Sequence, residues 1–201
     1  MALTAEEGAE LVRLARNTVD SFVKGQTPAS PPKEPPFMKE VRGAFVTLKK
    51  KDGELRGCIG LPYPTKPLGE AIVEAAIGAA GYDPRFSRVE PRELGAILVE
   101  VSALTKPEQL RYSSPLELPR LVKTGVDGLI VSNSYTSGLL LPQVATEYNM
   151  NSEDFLSHTC LKAGLRADAW LTKGLTIQKF QAEIFSEASP GKAEGAMEKD
   201  G

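Results

Sequence analysis

The residues with the clearest potential for chemistry are those at 55–60, LRGCIG, where two glycines flank a cysteine in a strand-like segment. If side chains alternate along a strand, Arg56 and Cys58 share one face. A guanidinium near a thiol favours the thiolate, which is the nucleophile. Gly57 and Gly60 would leave the sulfur uncrowded and expose backbone N–H groups that can hold an anion. The segment therefore predicts a nucleophilic cysteine with Arg56 as its activator.

A purely structural interpretation of Cys58 stands beside this one. Free cysteine is among the most buried residue types, and neighbouring glycines can simply let a helix pack closely. A cysteine nucleophile also normally needs a base. The chain's one histidine, His158, lies far downstream. Whether the fold brings His158 to Cys58 across a cleft stays open at this point.

Two further segments carry candidate groups. At 158–160, HTC, Cys160 falls on the apolar stripe of a predicted helix, which favours a core residue, and His158 points away from it. The pair therefore makes a poor metal site, and His158 is a candidate binding residue only. At 83–88, DPRFSR, Arg85 belongs to an arginine-containing loop that can bind a phosphate or carboxylate. A capped turn with salt-bridged charges is the favoured alternative for this loop.

Periodicity predicts the elements that position these residues. Thr4 and Glu7 form a capping-box signature at the start of a helix with an apolar stripe. Residues 44–48 and 54–60 predict a hairpin around an Asp-Gly turn, followed by a helix over 64–80 and a strand over 95–104. The order recurs in a hairpin at 128–131 and 138–141, helices at 142–149 and 152–164, and a final strand at 177–185. Mostly antiparallel sheet with flanking helices is an α+β fold.

Two segments lack apolar periodicity. Residues 25–36, GQTPASPPKEPP, contain five prolines and predict a stiff, Pro-rich linker. Residues 189–201 are rich in Gly, Ala, Lys and Glu and predict a disordered tail. We interpret residues 1–188 as one domain.

Composition excludes several classes of protein. In 201 residues, 24 Lys and Arg face 26 Asp and Glu, and this net charge of −2 argues against binding to nucleic acid. No run reaches the roughly 18–20 apolar residues that cross a bilayer, which argues against a membrane protein. Two cysteines form no disulfide framework, and the first residues lack the features of a secretory signal. We therefore expect a cytoplasmic globular protein.

Six blocks resemble, in order, the AMMECR family, which is named after the AMME chromosomal region. The resemblance extends over about residues 3–188. The blocks are LRGCIG at 55–60, AAGYDPRF at 79–86, DGLIV at 127–131, LLPQVATE at 140–147, FLSHTCLKAGL at 155–165 and FQAEIF at 180–185.

The resemblance implies an α+β fold of two closely joined parts. The larger part would contain both termini, the smaller would come from the middle of the chain, and residues 55–60 would line the cleft between them. It also implies that Cys58 belongs to the family's suspected active or binding segment, and it does not identify a cofactor, which stays unknown. Related modules occur beside or fused with Memo-type proteins and radical SAM enzymes, which implies a role in a modification pathway.

Two functions of different classes follow. The first is an enzyme, or an enzyme component, that uses Cys58 on a small anionic metabolite or a modified macromolecule. The second is a non-catalytic binding or adaptor module that docks a radical SAM or Memo-type partner, with the thiol incidental. Nucleic-acid binding ranks below both because of the charge.

Overall fold

The computed structural model describes residues 2–28, 30–32 and 35–193. The chain clusters into two units, one running to Leu104 and resuming at Glu183, the other spanning Thr105–Ala182. Each unit contains a sheet and an apolar core. In chain order the helices and strands are α1 (Ala5–Val23), β1 (Ala44–Lys50), β2 (Leu55–Leu61), α2 (Leu68–Gly81), β3 (Ile97–Leu104), β4 (Glu108–Gln109), α3 (Leu118–Leu121), β5 (Gly128–Ser132), β6 (Ser137–Leu140), α4 (Pro142–Glu147), α5 (Ser152–Lys162), β7 (Thr176–Phe180), β8 (Ala182–Ser189) and β9 (Lys192–Ala193).

Helix α1 begins at the capping box that the sequence predicts. The Thr4 hydroxyl accepts the N–H of Glu7 at 3.2 Å, and the Glu7 carboxylate accepts the N–H of Thr4 at 2.7 Å. Each side chain thus satisfies a main-chain donor that the first turn leaves without a partner. The predicted apolar stripe of α1, with Leu11 and Val19 fully buried, lies in the core of the first unit.

The sheet of the first unit has the strand order β2-β1-β3-β8-β9. Strand β1 is antiparallel to both β2 and β3. Helices α1 and α2 pack on the face where Ala44, Val46 and Leu48 of β1 are buried. Because side chains alternate along a strand, Thr47 and Lys49 lie on the opposite face. Strand β2 is outermost, so one of its edges pairs with no other strand of the described chain.

The second unit repeats the topology of the first. Its sheet has the order β4-β7-β5-β6, in which β5 and β6 form a hairpin and β7 pairs with β5 on the other side. In the first unit, the β1–β2 hairpin, α2 and β3 follow the same plan. The repeated order of elements in the sequence is therefore also a repeated sheet arrangement, and the α+β class is confirmed.

One predicted element is wrong, because residues 177–185 form two strands that belong to different sheets. Strand β7 ends at Phe180 and β8 begins at Ala182. Between them, Gln181 accepts the N–H of Thr105 at 2.8 Å and donates its own N–H to the Thr105 hydroxyl at 2.9 Å. Because both main-chain groups of Gln181 bond to Thr105, the strand pairing of β7 ends before this residue.

The predicted linker and tail fall only partly within the described residues. In its described parts, segment 25–36 forms no strand, and Ala29, Lys33 and Glu34 lie outside the described residues. At the other end of the chain, β8 continues to Ser189 and is followed by β9, so the predicted tail starts inside the sheet. Residues 194–201 lie outside the described residues. Among the helices of the described chain, none has the length and apolar character needed to span a membrane.

Candidate functional site

Cys58 lies on the outer strand β2, directly opposite Thr47 of β1. The pairing is regular as far as Leu48 with Gly57, and then shifts so that Lys49 pairs with Leu55. The residue left without a partner is Arg56, which makes this a β-bulge. A bulge breaks the alternation of side chains and turns the extra residue away from its expected direction. The predicted common face of Arg56 and Cys58 is therefore lost.

Cys58 is half-buried, and its sulfur has a hydroxyl neighbour. Thr47 Oγ1 donates a hydrogen bond to Cys58 Sγ at 3.2 Å. On the other side of β1, Thr47 pairs with Glu100 of β3, whose carboxylate accepts from Lys49 Nζ at 2.7 Å and from Ser186 Oγ at 3.2 Å. One row of polar side chains thus crosses four strands on the face opposite α1 and α2. We call it the polar row, and its members are Cys58, Thr47, Glu100 and Ser186.

The loop after α2 holds the main chain of Cys58. Asp83 Oδ2 accepts the N–H of Cys58 at 2.8 Å, and Arg85 Nη2 donates to the carbonyl of Cys58 at 3.2 Å. Arg85 and Asp83 are themselves joined by two hydrogen bonds, of 3.0 and 2.8 Å. We call this pair the Asp83–Arg85 clamp. It occupies the outer edge of β2 at Cys58 as a neighbouring strand would, and so shields this position of the edge from pairing with another chain.

The clamp combines a buried anion with an exposed cation. Asp83 is 4% exposed. Hydrogen bonds from the Arg85 side chain, helped by the backbone N–H groups of Cys58 and Arg85, hold the pKa of the Asp83 carboxyl well below its usual range despite burial. The Arg85 side chain is 55% exposed, and its pKa is raised by its hydrogen bonds to Asp83 and further by the Cys58 side chain. The clamp therefore presents an exposed guanidinium beside Cys58.

Arg56, which the sequence predicts as the activator of the thiol, is hydrogen-bonded to groups other than Cys58. Its Nε and Nη2 bind the two carboxylate oxygens of Glu93 at 2.7 and 3.1 Å, and Nη1 donates to the carbonyl of Ser87 at 2.9 Å. The residue is only 7% exposed. Its guanidinium lowers the pKa of Glu93. The Arg56 guanidinium is thus occupied by Glu93 and Ser87, and these hydrogen bonds fix the segment before β3.

Gly57 and Gly60 each make room for a neighbouring group. A Cβ on Gly57 would lie 2.3 Å from the carbonyl oxygen of Ala79 on α2, and one on Gly60 would lie 2.2 Å from the ring of Phe45. Gly57 therefore lets α2 approach β2, as the structural interpretation expects. The anion-binding role of the N–H groups of Gly57 and Gly60 stays a prediction.

His158 and Cys160 lie in the second unit, on α5. Cys160 is fully buried in the core, as the sequence predicts, and this burial raises the pKa of its thiol. His158 is exposed. Its approach to Cys58 stays a prediction. Within residues 2–28, 30–32 and 35–193, no group of three or more Cys, His, Asp or Glu side chains is arranged to hold a metal ion.

Sequence reasoning missed two contacts of Cys58. One is the hydrogen bond from Thr47 to its sulfur, and the other is the hydrogen bond from its main-chain N–H to Asp83. Asp83 belongs to a segment that the sequence marks as a capped turn, and it does accept the N–H of Arg85 at 3.1 Å. No local signal indicates that its second oxygen reaches Cys58. Strand alternation and the hairpin pairing were the signals for Thr47. The bulge shifts the pairing of β1 with β2 by one residue, so these signals place a different residue opposite Cys58.

Comparison with known proteins adds a decisive observation, because the AMMECR1 family model matches residues 12–185. The chain belongs to the AMMECR1 family. The resemblance inferred from the sequence is therefore confirmed. The matched region contains Cys58, Thr47 and the Asp83–Arg85 clamp.

Relatives of this AMMECR1-family chain match over nearly their full lengths. A protein of Thermofilum pendens is 51% identical over 198 residues, which cover 94% of this chain and 93% of the relative. A protein of Methanosarcina mazei is 53% identical over 192 residues, with 94% and 95% covered. The crystal structure of an uncharacterised protein from Pyrococcus horikoshii matches with a TM-score of 0.83 and 47% identity, covering 92% of this chain and 93% of that one.

Proposed function

We propose that this protein is an enzyme, or the thiol-bearing component of one, in which Cys58 loses its proton to solvent and the thiolate adds to an unsaturated electrophilic carbon of the substrate, so that the C–S bond forms as a π bond at that carbon opens. The observation that carries the proposal is the hydrogen bond from Thr47 Oγ1 to Sγ of the half-buried Cys58. A hydroxyl that donates to sulfur stabilises the anionic form, which is the nucleophile. Cys160, which is fully buried and whose thiol pKa is raised by that burial, serves as the unreactive counterpart.

The Asp83–Arg85 clamp supplies the second part of the proposed site. By holding both main-chain groups of Cys58, it fixes the position of the sulfur relative to Thr47. The exposure of the Arg85 guanidinium suits it to attract an anionic group of the substrate. The substrate class that fits is therefore a molecule with an electrophilic centre near a carboxylate or phosphate. In this proposal Thr47 takes the activating role that the sequence predicts for Arg56, and Arg85 has the anion-binding role predicted for its own loop.

The experiment that tests this proposal is the rate at which iodoacetamide alkylates each cysteine, followed by peptide mass spectrometry. We expect Cys58 to react much faster than Cys160, and Thr47→Val to slow the reaction of Cys58 several-fold. Thr176→Val, a half-buried strand threonine of the second unit, is the matched control and leaves the rate unchanged. If Thr47→Val leaves the rate of Cys58 unchanged, the hydroxyl plays no part and the proposal loses its main support.

A second experiment compares a charged with an uncharged alkylating reagent to test the Asp83–Arg85 clamp. Iodoacetate carries a carboxylate and iodoacetamide does not, so the ratio of their rates reports the attraction of an anion to the site. We expect Arg85→Gln to lower this ratio at Cys58 and Arg92→Gln to leave it unchanged. Arg92 is an exposed arginine of the same unit that is paired with Glu90. An equal ratio in both variants would show that Arg85 does not recruit anions.

A second candidate function, a non-catalytic docking module, is favoured by the outer edge of β2. The main-chain groups of Cys58 face away from β1 toward the clamp, so those of Gly60, two residues further along, face the same way. They lie beside a groove of about 590 Å³ lined by apolar residues such as Ile59, Ile77 and Tyr82. In this function a radical SAM or Memo-type partner docks at the groove and the thiol is incidental.

One comparison separates the two functions. Cys58→Ser removes the nucleophile and leaves the groove intact, whereas Ile77→Glu places a charge in the groove, which Ile77 lines, and leaves the thiol. If docking is the function, Cys58→Ser retains binding to a Memo-type or radical SAM protein and Ile77→Glu loses it. If covalent chemistry is the function, Cys58→Ser abolishes activity while Ile77→Glu retains the alkylation rate of Cys58.

A further inference from the structure

A pocket of the second unit, formed only by residues of that unit, lies between the segment after β4 and the turn before β7. Its volume of about 400 Å³ falls in the range of small-ligand sites. The N–H of Leu110 donates to the carbonyl of Ile177 at 2.9 Å, which holds the two segments together. Leu110 and Ile177 belong to the buried core, and Tyr112 and Leu175 pack against that core. The lining therefore includes an apolar and aromatic surface supported by the core.

The remainder of the lining carries two cations and no anion. Arg111 and Lys173 both line the pocket, both are exposed, and neither has an ion pair or hydrogen bond within the described chain. Glu108 and Glu117, which flank the first segment, do not line the pocket. The Glu117 carboxylate is occupied by main-chain N–H groups, including that of Ser113 at 3.4 Å. The two cations are therefore available to a ligand.

We propose that this pocket binds a small phosphate monoester that carries an apolar or aromatic group. Such a phosphate has a charge of about −1.5 to −2 at neutral pH, which matches two cations better than a single carboxylate does. The planar guanidinium of Arg111 can bind two phosphate oxygens, and the Lys173 ammonium acts as a point charge. Ser113 adds a hydroxyl to the lining. Tyr112, Leu175 and Ile177 offer the apolar contact for the rest of the ligand.

The proposal is tested with phenyl phosphate as the probe, on the full chain, by following backbone amide signals in NMR at physiological ionic strength. We expect saturable shifts confined to residues 109–113 and 173–177. The double variant Arg111→Gln with Lys173→Gln should weaken binding by at least about tenfold, because it removes two charge-assisted contacts. Absence of saturable binding at millimolar phenyl phosphate would overturn the proposal.

A matched control separates specific binding from general attraction to positive charge. Arg120→Gln with Lys162→Gln removes the same charge from exposed residues of the same unit that do not line the pocket. This control should bind phenyl phosphate as the wild type does, and equal weakening in both double variants would overturn the proposal. Benzyl alcohol and inorganic phosphate should each bind more weakly than phenyl phosphate. If either binds as tightly, the combined recognition of phosphate and apolar group is refuted.

Discussion

Replacing Asp83 tests how the buried carboxylate supports the strand that carries the thiol. Asp83→Ala removes the acceptor for the Cys58 N–H and both bonds to the Arg85 side chain. A hydrogen bond to a charged, buried acceptor contributes about 1.5–3 kcal/mol. The ion pair adds only about 0–1 kcal/mol because the Arg85 side chain is largely exposed. We therefore expect the free energy of unfolding to fall by about 1.5–4 kcal/mol.

The chain contains a matched control for this substitution. Arg166 and Asp168 are also two residues apart and also form two hydrogen bonds, of 3.0 and 2.9 Å, but both side chains are exposed. Asp168→Ala removes the same bidentate pair without a buried main-chain partner. We expect it to leave the free energy of unfolding unchanged within experimental error, as measured by urea denaturation.

The same carboxylate gives the stability of the protein a defined pH dependence. Because the folded pKa of Asp83 is depressed, its contribution is fully present above its unfolded pKa of about 3.9 and is lost as the pH falls toward the folded pKa. The stability difference between wild type and Asp83→Ala should therefore be constant from about pH 5 to 8 and narrow by about 1.3 kcal/mol at pH 3. A difference equal to that of Asp168→Ala, or one that does not narrow in acid, would refute this reasoning.

Two further substitutions test the packing and the reassignment of Arg56. Gly57→Ala should lower the free energy of unfolding by about 1–3 kcal/mol, because its Cβ would lie 2.3 Å from the Ala79 carbonyl oxygen. Gly95→Ala, with no atom within 4 Å of the added Cβ, is its neutral control, and equal stability of the two variants in urea would contradict the packing account. Arg56→Lys should lower the free energy of unfolding by about 1–2 kcal/mol through loss of the two-point contact with Glu93. It should leave the alkylation rate of the strand's thiol unchanged, and a large fall in that rate would restore Arg56 as the activator.

The regular elements of the fold could be predicted because they depend on local signals. The capping box of Thr4 and Glu7 and the apolar spacing of α1 are determined by residues a few positions apart. The repeated order of hairpin, helix and strand follows from the same periodicities. The break at Gln181 could not be predicted in this way, because it depends on bonds to Thr105, which is distant in sequence.

The candidate site was harder to predict because one bulge changes which side chains face each other. The bond from the Lys50 N–H to the Glu54 carbonyl closes the hairpin. A regular pairing counted from this bond would put Cys58 opposite Val46, on the buried face. The bulge shifts the pairing by one residue and brings Cys58 opposite Thr47. The sequence alone indicated the cysteine but neither its hydroxyl partner nor the cation that accompanies it.

The most direct test of the proposed thiol chemistry is the second-order rate constant for alkylation of Cys58 in the native protein relative to the same residue in the urea-unfolded chain. Unfolding removes the Thr47 hydrogen bond and the Asp83–Arg85 clamp together, and it also exposes the sulfur fully. If the native environment activates the thiol, Cys58 reacts at least several-fold faster in the folded protein despite being half-buried. A native rate equal to or below the unfolded rate would contradict the account and leave Cys58 as a structural residue of β2.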